Sequence, residues 1–355
     1  MNASFCAGVI VKDTLFYSEN NFNSLSCIDL TSGKVNIISD FPEEKSSQDW
    51  LHRKALTYKE KIIFLPEKAH NIHVYDLNNH KFETLPLKRV RNSNSLFCDG
   101  FVEDGLLWLF PRILEQPILV IDIENKRIAD EIFVLQEIKV DPKTELFTKL
   151  IKIDQYVYLV TLLDNKIVKF DTSQRSMEYF SFEGERFYSV FSVNNDIWIG
   201  GCTQQYLYQW EPETNVLTKH KVDDLNSDKG TFVVVCDKKK NIYFVSTFGR
   251  KTYRLSGNSH ELIMMDDPLL DGYAEHFLNY DIWGEKIVLF PSCGASVEVL
   301  SDRSASKLEL DFSDCIARME EKSLEAMKNE MKDAIISESK CNSLSLFLKA
   351  IDSCN

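Results

Sequence analysis

The chain has 355 residues, 44% of them hydrophobic, and a formal net charge of −13. This length exceeds the roughly 100–200 residues of one ordinary domain, so the sequence predicts several domains or one large domain built from repeats. The acidic balance argues against nucleic-acid partners, which need a basic surface for phosphates, and against docking on anionic lipid. We therefore expect neither nucleic acid nor a membrane as a partner.

The N-terminal segment, MNASFCAGVIVKD, has no basic region before its short apolar run, which is unlike a secretory signal. No stretch approaches the roughly 18 consecutive apolar residues of a membrane span. Nine cysteines occur without a CxxC pair, and several lie inside apolar runs, including Cys6, Cys27 and Cys236. We interpret these as buried thiols in a reducing compartment and expect a cytoplasmic protein.

A short apolar run recurs seven times along the chain, and each copy ends in Pro, Gly, Ser or Thr. The steps between successive ends are 48, 45, 50, 40, 45 and 45 residues. The ends fall at Ser18, Pro66, Pro111, Thr161, Gly201, Ser246 and Pro291. A second apolar run follows each first one, and four of these second runs carry Asp at the same place: Asp29, Asp76, Asp122 and Asp171. A short Asp side chain accepts backbone N–H groups two residues on, so a tight turn is predicted there.

Further apolar stretches before and after these two runs divide each unit of ~45 residues into four short strands. No segment before residue 313 sustains a helical period between its breakers, which argues against helices in this region. Four-stranded units at this period are typical of β-propeller blades. The sequence therefore predicts an all-β fold over residues 1–313, a seven-bladed β-propeller of four-stranded blades.

The fifth unit carries the most specific motif, IWIGG followed by YLYQWEPETN. This segment resembles a kelch repeat, in which a strand ends in paired glycines and the next closes on an acidic turn. The paired glycines, Gly200 and Gly201, occur in this unit alone, and no unit holds a full kelch consensus. The chain thus resembles a divergent seven-bladed β-propeller of the broad kelch-like class. The resemblance implies a fold, which does not by itself fix a function.

The segment 314–355 has a different composition, rich in Glu, Lys, Ala and Met near its start. Five apolar residues there share one face at helical spacing: Ile316, Met319, Met327, Met331 and Ile335. This pattern predicts a C-terminal α-helical tail. Two interpretations stay open: the tail packs on the propeller and covers a strand edge, or it forms a partner or oligomer interface.

The loops that enter the first strand of each unit, and those that join its second and third strands, share one predicted face. Six of the ten propeller arginines lie there, and a guanidinium fork suits carboxylate or phosphate. The candidate ligand-binding residues on this face are Trp50, Arg53, Arg91, Arg112, Arg186, Arg250 and Tyr273. The same loops also carry acidic residues such as Glu67 and Glu115, so the alternative is that the arginines pair with their neighbours.

Three histidines, His52, His70 and His276, lie on the same predicted face, and Glu275 adjoins His276. A histidine beside a carboxylate could perform acid–base catalysis, and the streptogramin lyases are a precedent for histidine chemistry on this fold, at the level of fold only. The alternative is that these are surface polar residues. No His/Cys/Asp cluster has metal-ligand spacing, and the sequence lacks GxGxxG, P-loop and GxSxG motifs. We expect no metal and no cofactor.

Two hypotheses follow from these patterns. The first is a non-catalytic binding or scaffold propeller that holds a peptide, glycan or partner protein, with an anionic group, on its axial loop face. The absence of a catalytic motif favours this hypothesis over an enzyme. The alternative is a lyase or hydrolase-like enzyme using His52 or His276 with Glu275 at the axial mouth.

Overall fold

The computed structural model describes most of the propeller and the first part of the tail. The described residues are 3–88, 97–133, 147–161, 165–183, 185, 187–193, 196–201, 206–221, 232–236, 242–246, 252–255, 262–264, 277–291, 294–301 and 304–332. They form seven four-stranded antiparallel sheets, each built from four consecutive strands, and one helix. The predicted all-β propeller of four-stranded blades with a C-terminal helix is therefore confirmed.

The sheets are numbered as blades in chain order, and the first three come from the first third of the chain. Blade 1 contains β1 (Phe5–Val11), β2 (Thr14–Glu19), β3 (Leu25–Asp29) and β4 (Val35–Ser39). Blade 2 contains β5 (His52–Tyr58), β6 (Lys61–Pro66), β7 (Ile72–Asp76) and β8 (Lys81–Leu85). Blade 3 contains β9 (Phe97–Glu103), β10 (Leu106–Pro111), β11 (Ile118–Asp122) and β12 (Arg127–Ile132).

The remaining four blades follow the same order. Blade 4 contains β13 (Phe147–Ile153), β14 (Tyr156–Thr161), β15 (Lys166–Asp171) and β16 (Ser176–Ser181). Blade 5 contains β17 (Phe187–Val193), β18 (Asp196–Gly201), β19 (Tyr206–Glu211) and β20 (Val216–Lys221). Blade 6 contains β21 (Phe232–Cys236), β22 (Ile242–Ser246), β23 (Thr252–Leu255) and β24 (Leu262–Met264). Blade 7 contains β25 (Phe277–Trp283), β26 (Lys286–Pro291), β27 (Ser296–Ser301) and β28 (Ser304–Glu309).

The first strands of successive blades neighbour one another and form the inner wall of a closed ring, in which β25 lies beside β1. Second strands such as β10 are buried along nearly their whole length, because neighbouring blades cover both of their faces. Outer strands such as β16 are only partly covered. The continuous apolar runs of the sequence therefore mark second strands.

The predicted Asp turns join the third and fourth strands of blades 1 to 4. Asp29 accepts the amide of Thr31 at 2.8 Å, and Asp76 accepts the amide of Asn78 at 2.9 Å. Asp122 and Asp171 make the same type of bond in their blades. The pKa of each of the four carboxyl groups is lowered. The largest cause is a side-chain hydrogen bond, from Thr31, Asn125 and Ser173, at Asp29, Asp122 and Asp171, and it is backbone amides at Asp76.

Blades 1 and 7 meet through backbone bonds at both chain ends of the propeller. Ala3 and Gly294 exchange two hydrogen bonds, of 2.8 and 2.9 Å. Asp311 pairs with the turn before β4 and donates its amide to the carbonyl of Gly33 at 2.9 Å. Gly33 has a φ of +77°, and a Cβ there would lie 2.1 Å from the carbonyl oxygen of Glu309. Only glycine fits this closing contact.

The helix α1 (Ile316–Lys332) packs against blade 1. Met319 and Cys315 are buried with Phe22 in the core of that blade. The ammonium of Lys322 donates to the carbonyl of Asn23 at 3.2 Å, as well as to Asp40. These contacts support the interpretation that the start of the tail packs on the propeller, although Ile316 stays exposed.

The rest of the predicted apolar face comprises Met327, Met331 and Ile335. The side chains of Met327 and Met331, and the whole of Ile335, lie outside the described part of the tail. An oligomer interface on the tail therefore stays a prediction.

Candidate ligand-binding face

One face of the ring carries the start of every first strand and the loops between second and third strands. We call it the entry face, and the opposite side, with the tight turns, the turn face. Three of the candidate ligand-binding residues lie on the described part of the entry face. Trp50 precedes β5, Arg53 is the second residue of β5, and Arg112 follows β10.

A β-bulge sets the direction of Arg53. His52 pairs with Pro66 and Lys54 with Leu65, so Arg53 is the extra residue in the ladder between β5 and β6. A bulge turns its extra residue out of the regular alternation of side chains. Arg53 is thereby directed toward blade 3, where its Nε donates to the carbonyl of Cys98 at 3.0 Å.

A single carboxylate joins the arginines of two blades. Glu67, at the end of β6, has one oxygen 3.4 Å from Nη1 of Arg53 and the other 3.6 Å from Nη1 of Arg112. Glu67 is buried, while the two arginine side chains are 26% and 20% exposed. The alternative that these arginines pair with acidic neighbours is thus what the geometry shows for Arg53 and Arg112. The three side chains together still carry one net positive charge.

Trp50 has an unusual backbone conformation for its size. Its φ is 49°, in the left-handed region that a bulky side chain rarely adopts. Its N–H donates to the carbonyl of Asn20 at 3.0 Å, and its carbonyl accepts the amide of Lys68 at the same distance. The side chain is 36% exposed, among the most exposed large apolar groups in the described residues. The fold thus fixes the backbone of Trp50 against the segment that carries Glu67.

The other candidates on this face lie outside the described residues. They are Arg91, Arg186, Arg250 and Tyr273 among the ligand-binding candidates, and Glu275 and His276 among the catalytic ones. Their parts in a ligand site or an acid–base pair stay predictions.

His52 occupies a different place from the solvent-facing loop position expected from the sequence. It is the first residue of β5 and is 0% exposed. Its Nδ1 lies 2.9 Å from the hydroxyl of Ser18, and its Nε2 lies 2.8 Å from Nδ1 of His73. Burial, with a smaller effect from His73, holds the pKa of His52 well below its usual range. Because the imidazole of His52 is fully buried, a substrate on the entry face does not contact it.

The repeats themselves contain a signal for the burial of His52. The first strand begins with Phe in every other blade: Phe5, Phe97, Phe147, Phe187, Phe232 and Phe277. His52 takes the place of that phenylalanine, and the first four of these are fully buried or nearly so. Alignment of the units by this residue would have placed His52 in the core between blades.

His70 differs from His52 in being exposed. Its Nδ1 lies 2.7 Å from Oε2 of Glu44, and its backbone N–H donates to Oε1 of the same carboxylate at 2.6 Å. His70 lies in the loop between β6 and β7, on the entry face. This position is consistent with the interpretation of His70 as a surface polar residue. Within the described ranges, no group of three or more His, Cys, Asp and Glu side chains could hold a metal ion.

No family model matches the chain, and a comparison with curated proteins found no match. Solved structures do resemble it. A streptogramin B lyase superimposes with a TM-score of 0.67 at 11% identity, covering 86% of this chain and 94% of that one. Virginiamycin B lyase from Staphylococcus aureus gives a TM-score of 0.65 at 14% identity, with 87% and 95% coverage. A chain of the mitotic checkpoint complex gives 0.60 at 11%, with 88% and 91% coverage.

Identities this low show the fold alone. They establish a β-propeller and do not single out the kelch class within it. The similar structures include an enzyme and a subunit of a protein assembly, so the shared fold does not decide between catalysis and binding. No helix in the described residues is long and apolar enough to span a membrane.

Proposed function

We propose that this seven-bladed, kelch-like ring is a non-catalytic binding domain. It holds a peptide, glycan or partner protein on its entry face, and the ligand carries an anionic group there. The observation that carries the proposal is the bridge between Arg53 and Arg112, from two blades, through Glu67. It lies on the same face as the partly exposed Trp50, whose carbonyl accepts the amide of Lys68 beside Glu67. A cytoplasmic location is part of the proposal and rests on the cysteine pattern of the sequence.

Glu67 supports this proposal by fixing the two guanidinium groups. A buried carboxylate between two arginines removes much of the rotamer freedom that each would lose on binding a ligand. Charge-assisted hydrogen bonds from guanidinium to carboxylate are each worth about 1.5–3 kcal/mol. The overall charge of −13 repels an anion at long range. Screening over about 8 Å at physiological salt limits that repulsion, so a local positive cluster can dominate.

Trp50 supplies the apolar part of the proposed site. A residue in a sparsely populated backbone region costs of order 1–3 kcal/mol and persists only where the surrounding structure holds it there. The bonds to Asn20 and Lys68 do so. An exposed indole can stack on a sugar ring or pack against a peptide, and tryptophan is enriched among the residues that dominate binding energy.

A lyase or hydrolase-like activity is the second candidate. In its favour is the buried hydrogen-bonded series Ser18–His52–His73, which begins beside the entry face. Such a series could orient a catalytic group, but the reacting residues would have to be Glu275 and His276. This candidate therefore depends on residues outside the described part of the chain.

The test is a screen of immobilised protein against peptide and glycan arrays and a lysate of the native host. Each ligand is then titrated with wild type, Trp50→Ala and Arg112→Ala. The matched control is Arg127→Ala, because Arg127 is an exposed arginine beside Asp122 on the turn face. We expect both entry-face variants to weaken binding at least tenfold and the control to bind normally.

Two results would count against the proposal. One is equal affinity of all four proteins for every ligand found, which would place the site elsewhere. The other is turnover of a ligand by the wild-type protein, which would favour the enzyme. Thermal unfolding of each variant shows whether a loss of binding comes from a loss of folding.

A further inference from the structure

A cavity of about 380 Å³ lies on the axis of the ring, and first strands form its walls. Its described lining comes from six blades, through β1, β5, β9, β13, β17 and β25. This volume falls in the range of small-molecule sites, about 300–1,000 Å³. None of the described lining residues belongs to the bridge of Arg53, Glu67 and Arg112, so the cavity is distinct from the proposed entry-face site.

The bulge described for β5 recurs in the first strands and determines which residues line the cavity. In all six lining strands the pairing with the second strand skips at least one residue after the first position. The third residue of the strand lines the cavity in five of them. These five residues are all polar: Lys54, Asp99, Lys149, Ser189 and Asn279.

A second, mostly apolar layer follows two residues further along the strands. It comprises Val9, Leu56, Ile151, Phe191 and Asp281. Alternation along the strands therefore gives the cavity a polar layer near the entry face and an apolar layer, interrupted by one aspartate, beneath it. A ligand that fits both layers has a polar head and an apolar body.

The charged groups of the described lining balance one another. They are two lysines, Lys54 and Lys149, and two aspartates, Asp99 and Asp281, so their formal charges sum to zero. Lys54 and Asp99 form an ion pair, and Asp99 also accepts two backbone amides, at 2.8 and 3.4 Å. Lys149 interacts electrostatically with Asp99 and makes further contacts within the protein. An ionic ligand would therefore lose its hydration without gaining an unpaired counter-charge.

Two of these groups keep unused hydrogen-bonding capacity. Lys54 donates one N–H to its paired aspartate and one to the carbonyl of Gly100 at 3.3 Å, and the third N–H of its ammonium has no partner in the described part of the chain. Asp281 accepts the amide of Ile10 at 2.6 Å with one oxygen and the amide of Ile282 at 2.8 Å with the other. Each of these oxygens keeps a second lone pair. Lys54 also interacts electrostatically with Asp281, so the donor and the acceptor lie in the same part of the cavity.

We propose that the axial cavity binds a small neutral molecule with an apolar body and a polar head of the carboxamide class. The head accepts the third N–H of Lys54 and donates to Asp281, and the body contacts Leu56 and Phe191. A neutral head leaves the ion pair of Lys54 and Asp99 intact, whereas a carboxylate would compete for the lysine and an ammonium for the aspartate. This site is independent of the proposed entry-face ligand.

The test is calorimetric titration of the whole chain with four probes that share one six-carbon chain. Hexanamide is the neutral probe, hexanoate the anion, hexylamine the cation and 6-aminohexanoate the zwitterion. We expect hexanamide to bind saturably at one site and to raise the unfolding temperature. Each of the three charged probes should bind at least tenfold more weakly, because the charges of the cavity are already paired.

Variants locate the site. Lys54→Met should weaken hexanamide about tenfold, since it removes the donor to the head. Phe191→Ala, which leaves the ion pair in place, should weaken it at least threefold through lost apolar contact. The matched control is Phe133→Ala, because Phe133 is an exposed phenylalanine that follows β12 outside the cavity, and it should have no effect. Trp50→Ala should also leave hexanamide binding unchanged, which separates this site from the proposed entry-face function.

The proposal is overturned if hexanamide does not bind saturably, or if any charged probe binds as tightly as hexanamide does. The wild-type protein alone decides both points. It is also overturned if Phe191→Ala, shown to be folded by thermal unfolding, binds hexanamide as wild type does, so the test stands even where Lys54→Met fails to fold.

Discussion

Two junctions between blades place aromatic rings in almost the same arrangement but differ in chemistry. In blade 2, where His52 contacts blade 1, the rings of His52 and His73 lie 5.0 Å apart at 86°. In blade 5, Phe187 and Tyr208 hold the equivalent strand positions and lie 5.6 Å apart at 83°. In these two blades the same strand positions hold an edge-to-face pair of rings, and the polarity of the pair differs with the sequence.

The surroundings of the two pairs differ accordingly. His52 bonds to Ser18 and His73, and His73 in turn lies 3.0 Å from the carbonyl of Pro42. The blade 5 pair lies in a cluster with the fully buried Trp210. The hydroxyl of Tyr208 donates to Glu185, and Nε1 of Trp210 donates to Asn215 at 3.2 Å. The stability of the His52–His73 junction depends on hydrogen bonds and on the protonation states of the two histidines. The stability of the Phe187–Tyr208 junction depends mainly on the close packing of apolar side chains.

The largest expected effect tests the apolar junction. Trp210→Ala removes a fully buried indole that packs edge-on against Phe180 at 4.9 Å and Tyr158 at 5.7 Å. We expect a loss of about 3–5 kcal/mol in the free energy of unfolding, independent of pH between 5 and 8. Chemical denaturation at three pH values measures this. A loss below 1 kcal/mol, or one that varies with pH, would contradict the description of this junction.

The second prediction concerns the polar junction, in which His52 contacts Ser18 and His73. His52→Phe restores the residue found at this position in the other blades and keeps the ring volume. It removes the hydrogen-bonding partner that His52 provides in the core to the hydroxyl of Ser18 and to Nδ1 of His73, at a cost of about 1–3 kcal/mol for each group. We therefore expect destabilisation at pH 7, although phenylalanine is the more apolar residue. Unchanged or increased stability would show that the hydrogen bonds contribute little.

Glu19 adds a second difference between the two junctions. Blade 1 buries this carboxylic acid at the last position of its second strand, where blade 5 has Gly201. Burial raises the pKa of Glu19 to about 8. The native state then keeps a proton that the unfolded chain releases above about pH 4.3, so stability is lost as pH rises from about 4.3 to 8. Glu19→Gln should remove this loss, up to about 1.4 kcal/mol per pH unit. The check is denaturation at pH 6 and 8, where a variant that loses as much stability as wild type would refute the assignment.

The histidine pair has the opposite pH dependence. Burial lowers the pKa of both His52 and His73, so the unfolded chain takes up protons below about pH 6.5 that the native state refuses. Stability should fall from pH 6.5 toward 5, by up to about 1.4 kcal/mol per pH unit for each histidine. His52→Phe should reduce this slope. His80→Gln, at an exposed histidine in a turn, is the control and should keep it.

Much of the fold could be predicted from the sequence because each blade repeats the same physical pattern. The apolar second strands and the Asp turns at Asp29 and Asp76 recur at a fixed interval, and each depends on residues close together in the chain. The start of β5 was harder to predict from the sequence. The sequence predicts that Trp50, His52 and Arg53 lie in a loop of the ligand-binding face, but the strand begins at His52, and the bulge at Arg53 leaves no periodic trace in a single repeat.

The candidate site was less predictable, because its contacts join residues distant in sequence. The sequence identified Arg53 and Arg112 as neighbours on one face and offered acidic partners as an alternative. It could not show that one carboxylate, Glu67, contacts both. The sequence also does not predict the cavity that Lys54 and Asp99 line with residues of other first strands, because the irregular pairing of these strands becomes visible only in the structure.

The most direct test of the binding function is the salt dependence of affinity for the ligand recovered by the arrays. The dissociation constant is measured at 50 and 300 mM NaCl for wild type, Arg112→Ala and Arg127→Ala. An anionic group held by the arginines of the entry face predicts weaker binding at high salt. It also predicts that Arg112→Ala has both a lower affinity and a shallower salt dependence, while Arg127→Ala matches wild type. Affinity that is independent of salt, or equal in all three proteins, would contradict the proposed site.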